Sequence, residues 1–249
     1  MTVRRQVLTT AVAVVLSLAA VQDAVAQDGF LFGRPDFQLT VRTGPVLHQA
    51  DSDIFDFITS ELTLDRGDFR APAIGAEAAW SVHPRLDLSI GAAWSQTEKR
   101  SEFRDWYEEV DGDSLGIAQS TALQMVPVSL SARFYPFSRG RSVSSLAWLP
   151  ARTTPYLGAG MDMTWYRLRQ VGDFVDPDGV ITYQEYETSG RAATMHARVG
   201  LDHWLTPKLG LNIEGRYTHG SAEPSDDFGS FDSLDLSGFN AGIGISVRW

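Results

Sequence analysis

Apolar and polar residues alternate one for one along eight stretches of this chain. The clearest closes it. In Leu234-Asp-Leu-Ser-Gly-Phe-Asn-Ala-Gly-Ile-Gly-Ile-Ser-Val-Arg-Trp249, residues Phe239, Ala241, Ile243, Ile245, Val247 and Trp249 share one parity, and Asn240, Gly242, Gly244, Ser246 and Arg248 the other. Side chains point alternately to the two faces of a strand, so the pattern predicts a strand with one apolar face and one small or polar face. Segments 37–43, 74–82, 86–94 and 209–217 repeat it, and longer stretches near 119–135, 155–169 and 188–205 complete the set. His83-Pro84-Arg85 and Thr206-Pro207-Lys208 read as tight turns between neighbours.

The connections differ in length. Those near 49–68, 98–118, 171–187 and 220–235 are long, and the others are shorter, although 136–154 is extended and carries Arg139, Arg141 and Arg152. Long loops on one side and short turns on the other is the pattern of a transmembrane barrel, with both termini on the periplasmic side. The aromatics provide a second test. On the apolar parity, Phe37, Trp80, Phe134 and Trp249 sit near the short turns, and Trp94, Trp165, Tyr217 and Phe239 towards the long loops. Phe239 and Trp249 are ten residues apart, roughly 33 Å along a strand, which a tilt of about 40° reduces to roughly 25 Å of height. That matches the lipid-facing band between two aromatic girdles, a spacing that a soluble barrel has no reason to keep. The expected fold class is therefore all-β: an eight-stranded antiparallel up-and-down transmembrane β-barrel over residues 37–249.

The first residues sharpen the setting. Arg4 and Arg5, the apolar run Val7 to Val21, and Ala24-Val25-Ala26 read as a cleaved signal peptide over 1–26, too short for a retained anchor. Residues 27–36 are then a short periplasmic lead-in, and the chain is exported. No other run has the apolar length of a transmembrane helix. The chain has no cysteine, so neither a disulfide framework nor a thiolate site is available. With 31 acidic against 21 basic residues and a formal charge of −10, it is a poor nucleic-acid binder.

With Pro155-Tyr-Leu-Gly-Ala-Gly160 opening a strand, the run Trp204-Leu-Thr-Pro-Lys-Leu-Gly-Leu-Asn-Ile-Glu-Gly-Arg-Tyr217, the leader and the terminal Trp249, the chain resembles the small outer-membrane β-barrel proteins of the OmpA, OmpX and OmpW type. The resemblance covers about 37–249. It implies a monomer in the cell outer membrane, among lipid and lipopolysaccharide, with the terminal strand read by the barrel-assembly machinery. It implies no cofactor and is weak for function.

The parity opposite the apolar face assigns the inward charges: Arg42, Glu77, Asp87, Arg133, Asp162, Arg198, Asp202, Glu214, Arg216 and Arg248. Eight strands leave an interior just wide enough for side chains. A balanced set of signs there predicts an ionic plug that holds the barrel together, since a selective pore would more often show a ring of one sign. Most acidic residues instead crowd the long loops, where they could meet a basic partner or share divalent cations with lipopolysaccharide. Ile54, Phe55, Phe57 and Ile58, with Phe103, Trp106 and Tyr107, exceed what a solvated rim needs and suggest packing between loops or an adhesive surface.

Two motifs carry candidate chemistry. Asp176-Pro-Asp-Gly-Val-Ile-Thr-Tyr-Gln-Glu185 places Asp176, Asp178, Ile181 and Glu185 at calcium-loop spacing, but Phe174 occupies the first ligand position and Asp-Pro-Asp-Gly is a good turn by itself. No metal is therefore expected. His219-Gly-Ser221 resembles the His-x-Ser element of outer-membrane lipid A deacylases, yet Ala222 replaces the following Asn and no Glu is at hand to orient the histidine. His48, His83, His196 and His203 form no metal-ligand spacing. The expected function is non-enzymatic: an envelope or surface-interaction role through acidic loops. A narrow channel for small or hydrophobic solutes is the alternative, and a lipid A-modifying enzyme the second.

Overall fold

The computed structural model describes residues 31–110, 113–144, 147–175 and 178–249. The leader, 1–26, lies outside the described residues. Eight long strands build the wall: β1 (Phe37–His48), β2 (Ala71–His83), β3 (Leu86–Val110), β4 (Asp113–Phe134), β5 (Thr153–Val175), β6 (Ile181–Trp204), β7 (Leu209–His219) and β8 (Gly238–Arg248). Each pairs antiparallel with its sequence neighbours, and β1 closes the barrel by pairing with β2 on one edge and β8 on the other. The fold is the up-and-down barrel that the alternation predicts.

The faces are also as the parity assigns them. Ile90, Leu130, Met161, Val199, Ile213 and Ile243 point outward and are exposed, while the opposite parity buries Glu77, Arg133 and Arg198. Such a belt is stable only where the surroundings are as apolar as the side chains. Both aromatic tiers flank it. At the short-turn end the Phe37 ring packs against Trp80 at 5.3 Å and Trp249 at 4.6 Å between centroids. At the other end Tyr217 pairs in register with Phe239, and Trp94 and Trp165 are exposed. No described helix is long and apolar enough to cross a membrane.

The loops differ from expectation. Segments 98–118 and 171–187, read as loops, are the upper parts of β-hairpins: β3, β4, β5 and β6 run 25, 22, 23 and 24 residues, against about ten to cross a bilayer. The ladder continues through pairs such as Glu98↔Ala122 and Val171↔Glu185. Alternation fades towards the tips, where residues 104–109 and 113–116 are exposed on both faces, so nothing there forces apolar residues onto one parity. The 136–154 connection likewise folds into a small hairpin, Gly140–Ser142 with Trp148–Pro150, which Leu31 joins through a backbone bridge to Trp148.

The remaining two connections cap the barrel. Residues 49–70 form helix α1 (Asp53–Glu61) and a turn at Arg66–Phe69; residues 220–237 form a short ladder, Ser221–Ala222 with Leu234–Asp235, around a turn at Asp226–Phe228. Ile54, Phe55 and Ile58 fall on one face of α1 and are fully buried. They join Leu62, Leu64, Phe69, Phe228, Leu234 and Leu236 from the loops and Leu123, Met125, Tyr166 and Leu168 from the inner wall. This cluster is the molecule's dry core, and it sits over the outer mouth of the barrel.

Candidate functional site: the lumen and its cap

All ten sequence-assigned charges line the interior. Glu77 is the hub: it contacts Arg133 and Arg198 and lies 3.4 Å from Arg42. Glu214 accepts from Arg42 at 2.8 Å and from the Tyr156 hydroxyl at 2.6 Å, with Arg198 at 3.5 Å. Nearer the mouth, Asp162 binds Arg216 at 2.5 Å and His196 Nδ1 at 2.9 Å, and His196 Nε2 lies 3.1 Å from Ser131 Oγ. Charges excluded from water this way must satisfy one another, and removing one partner of such a pair strands the rest.

The plug is not uniformly ionic. Asp202 has no ion pair among the described residues; it accepts hydrogen bonds from Asn212 at 2.7 Å and, more distantly, from Gln38 and Tyr135. Arg248 also lacks a carboxylate partner among them. It donates to the Pro207 carbonyl at 2.8 Å and stacks on Trp204, 3.5 Å from the ring centre. Asp87 finds its cation outside the strands: Arg139, from the 136–154 connection, reaches it at 2.7 Å and donates to Ser81. Parity shows which way a side chain points, but pairing depends on register and on connections that carry no parity. His196 shares the inward parity of Arg198 and Asp202, so that signal was available; Arg139 had none.

Beside the network lies a cavity of about 110 Å³, open in part to its surroundings. Arg42, Glu77, Glu214 and Arg216 line it together with Met125, Leu236 and the small inner-wall residues Ala73, Gly75, Gly91 and Ala93. Small side chains leave that part of the interior unfilled. Pro127 interrupts the wall beside it: the β3–β4 register runs through Ala92↔Val128 and resumes at Ser95↔Met125, because proline has no N–H for the ladder. The lipid-facing Ile74 and Trp94 also border the chamber.

In the cap, many loop carboxylates are structural ties. Asp53 accepts from the backbone N–H groups of Asp232 at 2.6 Å and Ser233 at 3.1 Å. Burial pulls its pKa upward, but these donors outweigh it and hold the carboxyl below its ordinary value. Asp68, bound by the Asp65 N–H and close to Lys99, is also held low. Arg66 bridges Asp51 at 2.6 Å and Asp56 at 2.5 Å. Phe57, Trp106 and Tyr107 remain exposed, unlike Ile54, Phe55 and Ile58, so the loop hydrophobics divide between packing and surface.

Neither candidate motif assembles a reactive site. His219 and Ser221 are exposed, and His219 Nδ1 lies 3.4 Å from Ser237 Oγ, with no carboxylate bonded to it among the described residues. Asp176 lies outside the described residues. Glu185 is engaged by Arg169 at 2.6 Å, Ile181 opens β6 and pairs with Val175 of β5, and Gly179 has φ +80°. No cluster of three or more His, Cys, Asp or Glu suited to a metal occurs among the described residues.

No family model and no curated protein matches the chain. Solved structures do. Neisserial surface protein A is 12% identical, over 89% of this chain and 98% of its own, with a TM-score of 0.49. The outer membrane protein OprG of Pseudomonas aeruginosa is 13% identical, over 88% and 99%, also with a TM-score of 0.49. Ail, the attachment invasion locus protein of Yersinia pestis, is 9% identical, over 86% and 99%, with a TM-score of 0.42. The closed eight-stranded barrel itself stands on the strand pairing of this chain.

Proposed function

We propose that this protein is a non-enzymatic barrel of the cell outer membrane that supports the envelope and meets partners through its acidic, aromatic-bearing outer surface. The observation that carries this reading is a double closure: a charged network fills the mid-barrel, and a dry loop core covers the outer mouth. A sealed lumen leaves the outer surface for function, where Phe57, Trp106, Tyr107 and Tyr183 are exposed among acidic loops. On this reading the chain is exported by its 1–26 leader, inserted by the barrel-assembly machinery through β8, and surrounded as a monomer by lipid and lipopolysaccharide. The outward apolar belt supports that placement. In planar bilayers the purified protein is expected to give no discrete current steps; steps of a fixed size would overturn the sealed lumen.

The chamber beside Pro127 favours a second reading, a narrow conduit for small or hydrophobic solutes. It predicts that vesicles carrying the protein take up a small amphipathic probe faster than empty vesicles, and that filling the wall with Gly75→Leu abolishes the difference. Equal uptake removes this reading.

A further inference from the structure

The end of the barrel opposite the cap carries the reverse charge. Over segments 31–36, 83–85, 135–152 and 205–208 the only acidic residue is Asp36, against six arginines and lysines. Two of the six turn inward: Arg34 bonds the His83 carbonyl and Arg139 binds Asp87. The other four, Arg85, Arg141, Arg152 and Lys208, are exposed, and none has a carboxylate within ion-pair distance among the described residues. Beside them Phe137 and Leu205 are 66% and 52% exposed, just past the inner aromatic tier of Trp80, Phe134 and Trp249.

We propose that this rim is a docking surface for anionic phospholipid headgroups of the leaflet facing the periplasm. The inference rests on the outer-membrane reading above. Cations with no carboxylate partner among the described residues attract phosphate, and guanidinium groups bind it in bidentate fashion. Exposed apolar groups that continue the lipid-facing belt fit acyl chains beneath those headgroups; a hydrated glycan would leave them in water. The outer loops, acidic on balance, repel the same lipids, so the two ends sort them in one direction.

The test uses the refolded full chain in bilayers with spin-labelled phosphatidylglycerol or phosphatidylcholine, and reads the motionally restricted fraction. Wild type is expected to prefer phosphatidylglycerol by about fivefold, the effect of roughly one engaged cation per lipid. The preference should fall to near parity in 1 M salt and in the fourfold variant Arg85→Gln/Arg141→Gln/Arg152→Gln/Lys208→Gln, and stay unchanged in the outer-face control Arg167→Gln. Arg141→Gln alone, on the hairpin outside the barrel wall, should lower it partway and keeps the test readable if the fourfold variant does not insert. Parity in wild type, or a preference that survives the substitutions, overturns the proposal. So does sedimentation with purified sacculi that depends on the four cations in the absence of lipid preference. A wild-type chain that fails to insert at all refutes the outer-membrane reading itself, a distinct result.

Discussion

The lumen and the cap are two interiors of one molecule built by opposite rules. Within the wall, apolar side chains face outward and Arg133, Glu77, Arg198 and Asp202 are buried. A short distance above, Ile54, Phe55, Leu234 and Leu236 are buried and the charges Asp56, Arg66 and Asp227 face outward. The chain does not change its chemistry between the two; its surroundings change. Where lipid replaces water outside the wall, grease has no reason to leave the exterior, and the interior is left to groups that hydrogen-bond one another. Where water returns, the ordinary arrangement returns with it.

Substitutions should separate the two interiors. The largest effect is expected at the hub: Glu77→Gln leaves Arg133 and Arg198 without their shared carboxylate and should cost about 3–5 kcal/mol, read as a lower urea midpoint in the heat-modifiable gel assay. Phe55→Ala, which empties the contact with Phe69 at 4.7 Å, should cost the cap about 3 kcal/mol while leaving the barrel's own midpoint in place. Proteolysis of 51–70 measures the first and gel mobility the second; equal losses in both would mean that wall and cap unfold as one unit.

Asp53→Asn weakens two backbone hydrogen bonds and should loosen the cap by about 1 kcal/mol, seen as faster amide exchange at 228–236. Acid should act alike. Because Asp53 and Asp68 titrate below their ordinary range when folded, their contribution is complete above the unfolded value of about 3.9 and disappears as pH falls through the lower folded values. Exchange in the cap should therefore rise below about pH 4. The smallest effect is expected at the exposed pair Arg167–Glu187, where Arg167→Ala should leave both interiors unmoved; a measurable loss would show that the upper hairpins brace the wall.

Legibility follows the same division. Lipid enforces alternation, so parity separates the buried charges of the wall, Glu77, Arg133 and Arg198 among them, from its exposed apolar face. Above the bilayer that constraint ends, and the upper halves of β3 to β6 read as loops although their backbone pairing is unbroken. Helix α1 was harder: Ile54, Phe55 and Ile58 have helical spacing, but over only nine residues, where tertiary burial decides more than propensity. Asp202 and Arg248 looked like two more members of an ion-paired set, and only the register shows that they are held by neutral partners.

The tall hairpins also set the outline of the molecule. From Trp94 to Val110, β3 climbs roughly 50 Å along its axis, ~40 Å in height after tilt, and beside its tip a Cβ on Gly179 of the neighbouring hairpin would lie 3.7 Å from the Trp106 ring. Half of the circumference thus rises as a fin, and a large partner approaching from that side meets the crest before it reaches the lid beneath.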